Sequence, residues 1–329
     1  MAMVVLIGAL CVALIWTAQR PARPVGFQMV QVPDRHGPFP VALWYPTDAH
    51  PALHFVGAAL MEVARDAPVS GRALPLVVVS HGNGGGPTSH ADLALALASA
   101  GYIVAAPMHP GDNYADHGAE GTVPWLSGRS RQIHATLDYL LQDWRDRAAI
   151  APGRIGAFGF SAGGLTVLTA IGAQPDLRQI ATHCAHTPEF ICTMFRQYKA
   201  PLLDPILAQA GNHYSPDARI RAAVLAAPGL AFTLGPGAFD NVRIPVQLWR
   251  GERDRIAPYA SNSALVRSGL GDRVDFHTVA GARHYSFLAP CGLLAVPALC
   301  SEEGGFDRAA FHAVMDASVL AFFNAHLPP

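Results

Sequence analysis

Short, uninterrupted apolar runs alternate along this chain with longer stretches whose apolar residues fall at helical spacing. "LPLVVVS" (74–80), "YIVAAP" (102–107), "RIGAFGF" (154–160), "IRAAVLAAP" (220–228) and "IPVQLWRG" (244–251) are compact runs with little polar alternation. That pattern predicts strands buried on both faces. "VDFHTV" (274–279) predicts a further strand. Between them, "ADLALALASAG" (91–101), residues 129–147, "AGGLTVLTAIG" (162–172) and residues 306–326 have helical character. Upstream, "FQMVQV" (27–32) and "VALWYP" (41–46) read as two strands split by the turn "PDRHGPFP". Residues 47–73 read as a loop holding one helical stretch, "AALMEVARD".

Strand–helix alternation from residue 76 to the end predicts an α/β fold, with a mostly parallel sheet and helices on both faces. Ligands in such sheets bind beyond the carboxyl ends of the strands. Residues 173–219 break the rhythm. A structureless loop of that length is unusual, so the segment reads as an inserted cap with helices of its own. The expected organisation is an apolar leader and linker at 1–25, then a single domain at 26–329 carrying the cap.

Composition narrows the function. The chain has 329 residues, 51% hydrophobic and 14% charged, with a formal net charge of −1. A large core is available, and no basic stripe suggests a nucleic-acid partner. The leader "MAMVVLIGALCVALIWTA" lacks the basic start of a signal peptide, and Arg20 and Arg23 follow it. An uncleaved membrane anchor and a cleaved export signal are both open readings. Cysteine spacing favours export: Cys184 with Cys192 and Cys291 with Cys300 form two close pairs, as disulfides in an oxidising compartment would.

The chemistry centres on "GFSAG" (159–163), placed between a strand and a helix. There Ser161 matches a nucleophile elbow, in which glycines let the backbone turn sharply and expose the hydroxyl. A serine hydroxyl needs a base, and the base an orienting group. The chain order Ser, acid, His points to Asp254 in "RGERDRIAP", with Glu252 as its rival, and to His284 in "AGARHYSFL". Oxyanion donors are expected from the N–H of Ala162 and from "HGNGGG" (81–86), where Asn83 is favoured and Gly84 is second. His109 and Phe160 are the expected substrate-binding residues. "MHPGDNYADH" mixes histidines with acids, but its spacing matches no metal motif, and in "THCAHTPEFIC" a Cys184–Cys192 disulfide is a simpler reading than a zinc site. No metal and no cofactor are expected, and the expected partner is a small-molecule ester.

In this order and spacing, "HGNGGG", "GFSAGG", "GERDRIAP" and "GARHYSF" resemble the α/β-hydrolase superfamily. More narrowly, "VALWYP", "VVVSHGNGG", "PMHPGDN" and "RIGAFGFSAGG" resemble the bacterial predicted dienelactone-hydrolase group related to platelet-activating-factor acetylhydrolases. That resemblance implies ester hydrolysis through an acyl-enzyme without a cofactor. Dienelactone hydrolases use a cysteine nucleophile where this chain has Ser161, so the lactone activity does not carry over. Short-acyl or phospholipid-like esters are the expected substrates. An acyltransferase or peptidase on the same residues, and a non-catalytic binding protein on this scaffold, are the alternatives.

Overall fold

The computed structural model describes residue 15 and residues 17–210, 214–292 and 295–328. The apolar leader at residues 1–14 and 16 lies outside the described residues. Strands β1 (Val25–Val32) and β2 (Phe39–Pro46) open the domain as an antiparallel pair. β3 (Ala52–Val56) and β4 (Ala59–Arg65) follow. Then come β5 (Leu74–Ser80), α1 (Ala91–Ser99), β6 (Ile103–Pro107), α2 (Val123–Gln142), β7 (Ile150–Phe160) and α3 (Ala162–Ala170). Helices α4 (Gln179–His186), α5 (Phe190–Tyr198) and α6 (Pro205–Gln209) precede β8 (Ile220–Ala226). β9 (Val246–Gly251), α7 (Ser263–Leu270), β10 (Val274–Val279), α8 (Pro297–Cys300) and α9 (Arg308–His326) complete the chain.

The strands form one sheet in the order β10-β9-β8-β7-β5-β6-β2-β1-β4-β3. All neighbours from β10 through to β6 pair in parallel. Alternate residues of β7 feed opposite faces. Ile155 and Ala157 pack with Ile133, Leu137 and Leu165 from α2 and α3. Phe158 and Phe160 pack with Leu93 and Leu97 of α1 and Met315 and Val319 of α9. Burial on both faces explains why these strands read as unbroken apolar runs. The predicted α/β fold is therefore what the chain adopts.

Three local expectations need correction. "AALMEVARD" is not helical: it supplies β4, which pairs antiparallel with β3 and parallel with β1. Its period of two puts Met61 and Val63 in the core and leaves Leu60 and Glu62 half-buried, and Gly57 at φ 62° makes the turn before it. A free edge on β1 overrides the helix propensity of Ala, Leu, Met and Glu. The helix expected at 129–147 starts earlier and ends at Gln142, with Pro124 in its first turn. Trp144, expected on that helix, lies beyond its end and is buried, with Tyr45 of β2 6.2 Å away between ring centroids. Between α3 and β8, the segment expected to form a cap holds three α-helices among its described residues, and a Cys184–Cys192 disulfide ties α4 to α5. A second disulfide joins Cys291 to Cys300. Both expected pairings are present, and they fit an exported protein. Among the described residues, no helix is long and apolar enough to cross a membrane.

Candidate active site

Ser161 sits at φ 54° and ψ −120°, between the end of β7 and the start of α3. L-residues rarely hold such a backbone, and it turns the side chain out above the sheet edge. The flanking glycines make the turn possible. A Cβ on Gly159 would lie 2.2 Å from the Gly163 carbonyl oxygen, and one on Gly163 would lie 2.0 Å from the Ser80 carbonyl oxygen. Only residues without a side chain allow β5, β7 and α3 to approach so closely.

His284 lies in the turn after β10 and Asp254 in the loop after β9, so three separate strand ends bring the group together. His284 Nε2 is 2.9 Å from Ser161 Oγ, and His284 Nδ1 is 2.7 Å from Asp254 Oδ2. His284 and Asp254 are both almost fully buried. Asp254 Oδ1 accepts from the N–H groups of Ile256 and Ala257, which fixes the carboxylate. With Asp254 anchored, its free oxygen takes Nδ1–H, and Nε2 is left facing the serine hydroxyl. Glu252 points elsewhere and accepts from the Gly281 N–H at 2.9 Å.

Ser161, Ala162 and Asn83 share one small cavity of 40 Å³ with Trp125, Glu189, Phe190, Ile191, Leu230 and Ile256. The N–H of Ala162 is among the first of α3, which have no partner within the helix. The Gly84 N–H is already committed to Asp112 Oδ1 at 2.7 Å, and the Asn83 side chain donates to the same oxygen at 2.9 Å. Asn83 and Phe190 also line a neighbouring open groove of 550 Å³ with His117, Glu120 and Tyr198 on its walls.

Two expected substrate-binding residues stand elsewhere. His109 is fully buried, with Nδ1 2.7 Å from Gln132 Oε1 and Nε2 2.9 Å from Ser80 Oγ. Burial, then the Arg129 charge, holds its pKa well below the usual value, so it serves as a neutral link under the loop rather than as a cavity wall. Phe160 is also buried and packs against the His284 ring at 4.8 Å between centroids, behind the histidine. Both face inward because the alternation of β7 and the turn after β6 direct them there.

Sequence reasoning missed the buried network beneath the "HGNGGG" loop. Arg129 of α2 and Asp112 form an ion pair that is almost wholly excluded from solvent. Arg129 also donates to the His81 carbonyl and to Thr166 Oγ1, and the Trp125 indole donates to Asp112. Burial opposes ionisation of Asp112, but Arg129, Trp125 and the Gly84 N–H outweigh it and hold the carboxyl below the usual carboxylate range. Burial and the Arg129 charge push His81 down to about 3, so it stays neutral while Nδ1–H donates to the Gly82 carbonyl. The signal in the sequence was "GDN" after a strand, but nothing in it paired Asp112 with an arginine on a helix.

The sheet order and the strained serine between β7 and α3 define an α/β-hydrolase fold. A family model for platelet-activating factor acetylhydrolase, isoform II, matches residues 52–119. The chain is 26% identical over 195 residues to YitV of Bacillus subtilis (strain 168), named as a candidate esterase. That match spans 57% of this chain and 72% of YitV. A solved structure of a ferulic acid esterase from Streptomyces cinnamoneus superposes with a TM-score of 0.61 at 20% identity, covering 94% of this chain and 93% of the other. At that identity the likeness speaks for the fold.

Proposed function

We propose that the protein is a serine esterase that cleaves carboxylic esters through an acyl-enzyme on Ser161. The observation that carries this is the pair of contacts from one imidazole, 2.9 Å to Ser161 Oγ and 2.7 Å to Asp254. His284 Nε2 takes the hydroxyl proton as Oγ attacks the ester carbonyl, and the same nitrogen gives it to the departing alcohol. Asp254 fixes the tautomer and offsets the charge of the imidazolium. The negative charge on the carbonyl oxygen falls to the N–H groups of Asn83 and Ala162. Water then repeats the cycle on the acyl-enzyme and releases the acid.

The space around Ser161 supports a short acyl group. The 40 Å³ cavity is walled by Trp125, Ile191, Leu230 and Ile256, whereas the 550 Å³ groove leaves room for a larger, partly polar alcohol, as in phospholipid-like esters. Phe190 and Ile191 come from α5, so the segment at 173–219 acts as a cap that roofs the site and excludes water. The two disulfides support action outside the cytoplasm. The experiment is a series of p-nitrophenyl acetate, butyrate, octanoate and palmitate. kcat/KM is expected to be highest at the short end and to fall in graded steps of about 1–3 kcal/mol per unaccommodated methylene at most. A maximum at palmitate overturns the closed acyl pocket.

A further inference from the structure

On the side of the sheet packed by α1 and α9, Asp92 of α1 meets His312 and Asp316, one turn apart on α9. Their ligand atoms all lie within 4.8 Å of one another. His312 Nε2 is 2.9 Å from the Ser286 carbonyl oxygen. A carbonyl only accepts, so Nε2 carries a hydrogen. Nδ1 faces Asp92 Oδ2 at 2.5 Å, and against the cost of burial that carboxylate favours the charged ring, with a second proton on Nδ1. The position between Nδ1 and Oδ2 therefore holds a cation, either this proton or a metal ion. A proton satisfies the single contact, but it leaves Asp92 Oδ1 and Asp316 Oδ1 buried without a hydrogen-bond partner among the described residues. Buried, unpaired carboxylate oxygens are costly.

We propose that Asp92, His312 and Asp316 bind one divalent transition-metal ion, for which Zn²⁺ is the best-suited probe. The donor set is one imidazole and two carboxylates, which suits Zn²⁺ better than oxygen-seeking Ca²⁺ or Mg²⁺. A double positive charge balances the two aspartates. Zn–N and Zn–O bonds of about 2.0–2.2 Å put ligand atoms about 3–4 Å apart, so small side-chain rotations close the shell around the ion. The Nε2–H held by the Ser286 carbonyl is the outer contact that metal-bound histidines characteristically make. Asp92 also lines an open groove with Arg20, Ser99, Pro290 and Leu320, which gives an ion a path from solvent. On binding, the ion displaces two protons, the one between Nδ1 and Oδ2 and the one that burial and the Asp92 charge hold on Asp316, and both leave to solvent. The site ties α1 to α9 and, through Ser286, to the turn that carries His284.

The test takes tag-free full-length protein, stripped with a chelator and then titrated with Zn²⁺ by calorimetry. One ion per chain and a rise in Tm are expected, and Asp316→Asn is expected to weaken binding by at least the roughly 10-fold that loss of an outer-shell contact costs. No saturable binding overturns the proposal. So does binding unchanged in both Asp316→Asn and Asp92→Asn, because the ion would then sit on surface histidines. If either variant fails to fold, Co²⁺ added to the stripped wild-type protein gives the answer. A saturable visible absorption band at one equivalent is expected, and its absence overturns the site.

Discussion

A single hydroxyl carries the proposed chemistry, and its neighbours can be tested one at a time. Replacing Ser161 or His284 by Ala is expected to lower kcat by about four or more orders of magnitude with the fold intact. Asp254→Asn is expected to be nearly as damaging, and Glu252→Gln close to neutral. Steady-state kinetics on p-nitrophenyl acetate reads all four, and the opposite order for Asp254 and Glu252 would transfer the orienting role to Glu252. The sequence left those two acids open because both follow β9 within four residues. The backbone separates them, since the loop turns Asp254 towards His284 and Glu252 towards Gly281. Arg129 was not legible at all. An arginine within an amphipathic helix normally reads as solvated, and here it is buried because Asp112, 17 residues away, neutralises it. Asp112→Asn is expected to lower kcat more than it changes KM, because the loop bearing Asn83 loses its anchor. The pH sign follows from the depressed folded pKa. Asp112 adds stability that is present above the ordinary carboxylate value of 3.8 and is lost as pH falls through the folded value. Acid unfolding followed by circular dichroism is therefore expected to show a shallower loss below about pH 4 in Asp112→Asn. An acid limb identical to the wild type contradicts this.

At the scale of elements, the core strands were readable because burial on both faces leaves an apolar signature that no helix of five or six residues shares. The β3–β4 hairpin was not, because "AALMEVARD" consists of good helix formers and is drawn into the sheet only by the open edge of β1. The elbow is where sequence and structure agree most closely, and it is fragile. Gly163→Ala puts a methyl group 2.0 Å from the Ser80 carbonyl oxygen, backbone against backbone. The expected loss is about 3 kcal/mol or more, since neither β5 nor α3 can yield cheaply. Thermal denaturation reads it, and an unchanged Tm would mean that α3 moves freely against β5. Helices α4 and α5, proposed to roof Ser161, are tied by the Cys184–Cys192 disulfide, which closes a loop of 8 residues. By chain entropy alone that bridge contributes about 2–3 kcal/mol. Cys184→Ala together with Cys192→Ala is expected to loosen α5, raise KM for short esters and flatten the acyl-length preference. An unchanged acyl-length profile would mean that α5 holds Phe190 and Ile191 without the bridge.

For the whole molecule, the place of the candidate site followed from one fact: chemistry in a mostly parallel sheet gathers at the carboxyl ends of its strands. Ser161, Asp254 and His284 come from the ends of three different strands, and their order along the chain made the set visible before any distance was known. What stayed hidden is what joins distant segments without a motif. His312 and Asp92 are 220 residues apart and meet only because α1 and α9 pack on the same face. The central claim is that Ser161 is the residue acylated during turnover. The most direct measurement is peptide mass spectrometry of the protein after reaction with a fluorophosphonate. A single adduct on Ser161, absent from Ser161→Ala and strongly slowed in His284→Ala, is the expected result. An adduct on another residue with Ser161 unmodified, or ester turnover near the wild-type rate by folded Ser161→Ala, would contradict the account.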